Sequence, residues 1–93
     1  GLPVLVSDTD RFIAVSGLKQ KDYVNRAIDE DLDDIIQKKS KYERPEKIVI
    51  PILANGDPIG SVTVLPPEGR VLSELEMKTA ELGAGLLAKQ MES

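Results

Sequence analysis

The sequence predicts an α+β domain, a central antiparallel β-sheet with short helices on one face and a long C-terminal helix on the other. Three patterns lead there. Short runs of Val, Ile and Leu alternate with polar residues and are bounded by turn-forming clusters, as half-buried strands are. Asn55-Gly56 separates two such runs, and both residues tolerate positive φ, which makes the pair a strong hairpin signal. Ser73-Glu74-Leu75-Glu76 has the spacing of a capping box and opens the last apolar-rich stretch. The 93 residues allow one domain over 1–93, with a core of aliphatic rather than aromatic side chains (41% hydrophobic, 3% aromatic).

In chain order, Leu2 to Val6 reads as a strand that ends at the turn-forming Ser7-Asp8-Thr9-Asp10. Arg11 to Val15 follows as its hairpin partner, and Ser16-Gly17 breaks the run. Leu18 to Ile28 reads as a short helix. Asp29 to Lys39 reads as a second, because Leu32, Ile35 and Ile36 share one face. Its acids come first and Lys38, Lys39 and Lys41 close it, which suits the helix dipole. Lys47 to Leu53 is a strand with Ile48, Ile50 and Ile52 on one face and Val49 and Leu53 on the other. Pro51 lacks a backbone donor and marks an edge or a gap in the ladder. Ile59 to Leu65 returns, with Ser61, Thr63 and Leu65 on one face and Gly60, Val62 and Val64 on the other. That makes four strands. A chain opening inside a strand at Leu2, behind a Gly1 that is no initiator, is expected to be an excised C-terminal piece of a longer protein.

The final helix, Glu74 to Met91, carries two apolar seams. One is Leu72, Leu75, Thr79, Leu82 and Leu86; the other is Ala80, Gly83, Ala84, Leu87 and Met91. A stripe so wide predicts cover on two sides. Gly83 and Gly85 weaken a helix by about 1 kcal/mol each relative to Ala, which a close backbone neighbour would offset. The expected interface of a homodimer is therefore Leu75, Thr79, Ala80, Leu82, Gly83, Ala84, Leu86, Leu87 and Met91. The competing reading is tight packing of a single helix on its own sheet.

Composition narrows the chemistry. There is no Cys and no His, so thiolate or imidazole metal sites, Cys nucleophiles and Ser–His–Asp triads are excluded. Ser16 has no base to activate it, and no catalytic residue, cofactor or metal site is expected. A net charge of −4 with scattered lysines argues against nucleic-acid binding by this chain. No membrane span or signal segment is seen. Asp8 and Asp10 have the spacing of a calcium loop, but Phe12 occupies the fifth position and the required Gly is missing, so they read as turn residues. The acids from Asp29 to Asp34 read as the solvated start of a helix.

Val4-Leu5-Val6-Ser7-Asp8 with Phe12-Ile13-Ala14-Val15-Ser16-Gly17 resembles the opening of GAF and PAS sensor domains, and Pro51 to Gly60 resembles the GAF hairpin. The likeness is closer still to the C-terminal domains of the stage V sporulation protein T family, which belongs with AbrB-like transcription regulators. It rests on Ile13 to Gly17, Lys21-Asp22-Tyr23, Ala54 to Gly60 and Ala88 to Glu92. The resemblance implies a cytoplasmic (forespore) regulator whose GAF domain senses an unidentified small-molecule effector and helps tetramer assembly. It implies that DNA is bound only by an N-terminal domain, and that a helix preceding Leu2 joins the inter-subunit bundle; neither is in this sequence. It also implies a pocket between one sheet face and the helices after the second strand. Here that points to Phe12, Tyr23, Ile28, Leu32 and Ile36, with Ser61 and Thr63 as polar anchors and Tyr42 and Arg44 near the mouth. A filled core with locally bonded hydroxyls is the alternative. The regulatory domain is accordingly expected to sense and oligomerise, or to hold subunits together without any small ligand.

Overall fold

Asn55 and Gly56 adopt φ of 53° and 82°, and the strands on either side run back on one another with Ala54 opposite Asp57. This hairpin, seen in a computed structural model that describes residues 1–92, is the centre of the molecule. Its strands are β4 (Lys47–Ala54) and β5 (Asp57–Val64). The remaining elements are β1 (Val4–Ser7), β2 (Phe12–Ser16), α1 (Gln20–Tyr23), α2 (Glu30–Lys38), β3 (Tyr42–Arg44) and α3 (Glu74–Met91). The strands form one antiparallel sheet in the order β2-β1-β5-β4-β3, between α2 on one face and α3 on the other. This layered α+β arrangement is compatible with the GAF/PAS-like layout expected from the sequence.

The alternation of side chains sorts the core into two layers. Val6, Ile48, Ile50, Ile52, Val62 and Val64 pack against Leu72, Ala80, Ala84 and Ala88 on the α3 side. Val49 packs with Leu32 and Ile36 on the α2 side, flanked by Phe12, Ile28, Ile35 and Tyr42. Both long helices start as their residues dictate. The Asp29 side chain accepts from the Leu32 N–H at 2.8 Å, capping α2. Ser73 and Glu76 bond reciprocally in a capping box at the start of α3. The β1–β2 turn is held by Asp8, whose Oδ1 accepts from the Asp10 and Arg11 N–H groups at 2.7 and 2.8 Å. Those two bonds hold its carboxyl below the ordinary carboxylate value.

Two expectations need correction. The helix expected from Leu18 to Ile28 is confined to Gln20–Tyr23. Asn25 turns to φ 72°, and the chain then docks on β2. Asn25 N–H donates to the Phe12 carbonyl, Phe12 N–H to that of Arg26, and Ile28 N–H to that of Asp10. Sheet-edge bonds thus satisfy the backbone that a longer helix would have satisfied internally. The sheet has five strands rather than four, because Tyr42–Arg44 pairs with Lys47–Val49. Among the described residues nothing lies within 4 Å of a Cβ built at Gly83 or Gly85, so the close backbone neighbour expected for these glycines is not the chain's own sheet. The proline expectation has a simple outcome. Pro51 lies beyond Val49, the last β4 residue with a β3 partner, so no neighbouring strand on that side needs its N–H.

Candidate functional site

On the α2 face, register sets three side chains in a row, because Thr63 of β5 stands opposite both Leu5 of β1 and Val49 of β4. The first turn of α2 arches over this row and leaves a half-open cleft of about 130 Å³. Leu5, Val49, Thr63 and Leu65 form its sheet side. Phe12 and Leu32 are its apolar walls, and Asp29 and Lys47 its charged ones. Thr63 is 5% exposed, and its Oγ1 has no hydrogen-bond partner among the described residues. Native structures rarely leave a buried hydroxyl unpaired, since desolvation without a partner costs about 1–3 kcal/mol.

Of the seven residues expected to line a pocket, Phe12, Leu32 and Thr63 line this cleft together. Ile36 is wholly buried on the sheet-facing side of α2, and Ile28 packs on the same cluster. Tyr23 sits half-buried on α1, away from the cleft lining. The Ser61 hydroxyl is 2.7 Å from that of Ser7, a buried pair that satisfies both. Leu5, Asp29, Lys47, Val49 and Leu65 were not anticipated. Leu5 and Val49 follow only from the cross-strand register, which places them beside Thr63. Lys47 and Val49 are two apart on β4 and therefore share a face.

A second open region of about 320 Å³ runs along α2 from Asp31 to Lys38 and on to Lys41, Tyr42 and Lys47. The Tyr42 hydroxyl donates to Glu46 at 2.8 Å, which raises the Tyr42 pKa; the Glu46 carboxyl is lowered first by its own backbone N–H and next by this bond. The Arg44 guanidinium stands 5.1 Å and the Lys47 ammonium 5.6 Å from the Tyr42 ring centre, both within cation–π range. Tyr42 and Arg44 thus belong to the β3 edge.

The two seams of α3 do not divide into one inside and one outside: Leu72 of the first is buried against the sheet, Gly83 and Met91 of the second are exposed, and Ala80 and Ala84, expected at a homodimer interface, are buried against the sheet. Ala80, Ala84 and Ala88 lie against the sheet, four residues apart, and their small side chains let the helix sit close to it. Leu75, Leu82 and Leu86 are 75%, 71% and 65% exposed, with Thr79 and Gly83 exposed between them. Leu87 is half-buried and Met91 exposed. Between α3 and the first residues of the chain runs a groove of about 440 Å³, walled by Leu2, Val4, Val62, Val64, Leu75 and Leu87. Among the described residues no three His, Cys, Asp or Glu side chains gather as a metal site, and no helix is long and apolar enough to cross a membrane.

A five-stranded antiparallel sheet with a small cleft on one face and, on the other, a long helix whose outer side is bare defines a layered α+β domain. The particular family is shown by comparison. The family model described as Stage V sporulation protein T C-terminal, transcription factor, matches residues 1–47 and 38–92, and this chain belongs to that family. The chain is also 40% identical to the stage V sporulation protein T of Bacillus subtilis (strain 168), over 108 aligned positions that take in 99% of this chain and 60% of that relative. It therefore spans about 60% of the relative's length. Membership in a transcription-factor domain family supports a regulatory role in sporulation. The two family matches overlap at 38–47, the stretch that leaves α2 and forms β3.

Proposed function

We propose that this chain is a GAF-like effector-sensing and oligomerisation domain of a sporulation transcription regulator. The observation that carries the reading is the contrast between the two sheet faces. The α2 face keeps a half-open cleft with an unpartnered buried hydroxyl, and the α3 face ends in a stripe of bare leucines. A ligand held against α2 stabilises one arrangement of helix and sheet. A second copy packed on Leu75, Leu82 and Leu86 passes that preference to the rest of the assembly. The ligand acts only as far as its affinity differs between the two arrangements. DNA contact is assigned to an N-terminal domain of the parent protein, not to this acidic chain.

The test has two parts. Thermal-shift screening with a broad metabolite mixture should raise Tm, because a ligand at 100 times its Kd adds about 2.7 kcal/mol. Light scattering across a concentration series should show a homodimer. A second reading, a purely structural subunit clamp, is favoured by the Ser7–Ser61 pair and the sealed Ile36, which fill much of the space beneath α2. It predicts the dimer without any thermal shift.

A further inference from the structure

We infer that the cleft beneath the first turn of α2 takes a compact, apolar α-amino acid in its zwitterionic form. The inference rests on the sensing reading above and concerns the chemistry of the ligand. Its starting point is the Thr63 hydroxyl, which is 95% withdrawn from solvent, lines the cleft and bonds nothing among the described residues. Its neighbour Ser61, two residues along the same strand and face, is already satisfied by Ser7, so the unmet polar atom coincides with the open space.

The charged groups of the cleft wall define what else enters. Lys47 lies two residues before Val49, the cross-strand partner of Thr63, and has no ion-pair partner among the described residues. The Lys47 ammonium rests over the Tyr42 ring, 5.6 Å from its centre; swinging off that ring costs about 0.5–1 kcal/mol, and it then joins the Thr63 hydroxyl as a second donor to one carboxylate. Asp29 uses Oδ1 to cap α2 through Leu32, while its other oxygen makes no hydrogen bond among the described residues. That oxygen is an acceptor for an ammonium. A simple carboxylic acid would leave Asp29 facing an anion, and a simple amine would leave Lys47 facing a cation. A zwitterion meets both. Leu5, Phe12, Leu32 and Val49 supply the apolar contact for a short aliphatic side chain. The volume of about 130 Å³ is below the roughly 150 Å³ of an engineered cavity that takes benzene, so a guest of leucine's size fits only with part of it in the open mouth of the cleft.

The test is calorimetric titration of this chain with L-leucine, with 4-methylpentanoate, which lacks the ammonium, and with 3-methylbutylamine, which lacks the carboxylate. Leucine should bind, and each truncated analogue should bind at least about tenfold more weakly, the scale of one lost charge-assisted hydrogen bond. Thr63→Val should weaken leucine about tenfold while leaving Tm equal or higher, because it removes an unsatisfied hydroxyl. Asp29→Asn, which keeps a capping side chain, should weaken leucine but not 4-methylpentanoate. Absence of leucine binding in the millimolar range overturns the inference, as does Thr63→Val binding leucine unchanged or 4-methylpentanoate binding as tightly as leucine. A thermal shift from a metabolite mixture free of amino acids, with none from leucine, overturns the ligand class and leaves sensing intact. Silence from both overturns both.

Discussion

Gly60 stands where β5 passes the backbone of β1, and a Cβ there would run into the Ser7 carbonyl oxygen. The obstacle is backbone rather than a flexible side chain, so the strands must part to admit a methyl group. Gly60→Ala is expected to cost about 1–3 kcal/mol, read as a lower urea midpoint with an unchanged slope. Lys39 presents the opposite case. It closes α2 in the left-handed region at φ 60°, where a Cβ is a burden and Gly is the usual occupant. Lys39→Gly should raise stability by about 0.5–1 kcal/mol, measurable in the same denaturation experiment. Asn55-Gly56 was legible as a turn because its meaning is local. The solitude of the Thr63 hydroxyl was not, because it depends on Ser7 reaching Ser61 instead, across 54 residues of sequence.

At the level of elements, α2 is legible from its apolar spacing and charge order and α3 from its capping box and apolar seams, while the extent of α1 and the existence of β3 are not. The error over α1 arose because Phe12 competes for the backbone of Asn25 and Arg26, a contact absent from any local pattern. Three residues, Tyr42–Arg44, are too few to display an alternation, so β3 exists only through its pairing with β4. The start of α3 is reinforced beyond its cap. Arg70 donates two bonds to Glu76, at 2.6 and 2.8 Å, and Ser73 N–H donates a third at 3.0 Å. The Arg70 guanidinium first, and the Ser73 N–H next, hold the Glu76 carboxyl at about 2 against an ordinary 4.5. A depressed carboxyl contributes stability above its ordinary value and loses it as pH falls from about 4.5 through about 2. The Ser73 amide resonance should therefore hold its position through mild acid and move only near pH 2. Ser73→Ala, which removes the cap without touching the ion pair, should cost about 1 kcal/mol.

For the whole molecule, the sequence made it plain that α3 has more apolar surface than one sheet can cover. It did not disclose which seam meets the sheet. The structure assigns that place to the alanines, since larger side chains would hold the helix away, and leaves the leucines outside. The double change Leu82→Glu and Leu86→Glu tests the proposed interface. It should abolish association in light scattering while the stability of the folded monomer stays within about 0.5 kcal/mol, as for other exposed positions. A wild-type chain that stays monomeric at every concentration would remove the interface reading. The cleft was partly legible as well. Thr63, Phe12 and Leu32 were identifiable as a group, whereas Leu5, Val49 and Lys47 joined them only once the strand order set β1 and β4 on either side of β5.

That strand order also bears on how the domain comes to exist during synthesis. Within this domain β1 is made before its neighbour β5, and β2 is joined to the rest of the sheet only through β1. The β1–β2 hairpin must therefore wait for that neighbour while residues 17–56 are made. Closure of the sheet is a late event that joins distant stretches of chain, the kind of contact that slows folding. A nascent chain stalled before residue 57 should leave this domain protease-sensitive, and its resistance should appear in one step once β5 has cleared the exit tunnel.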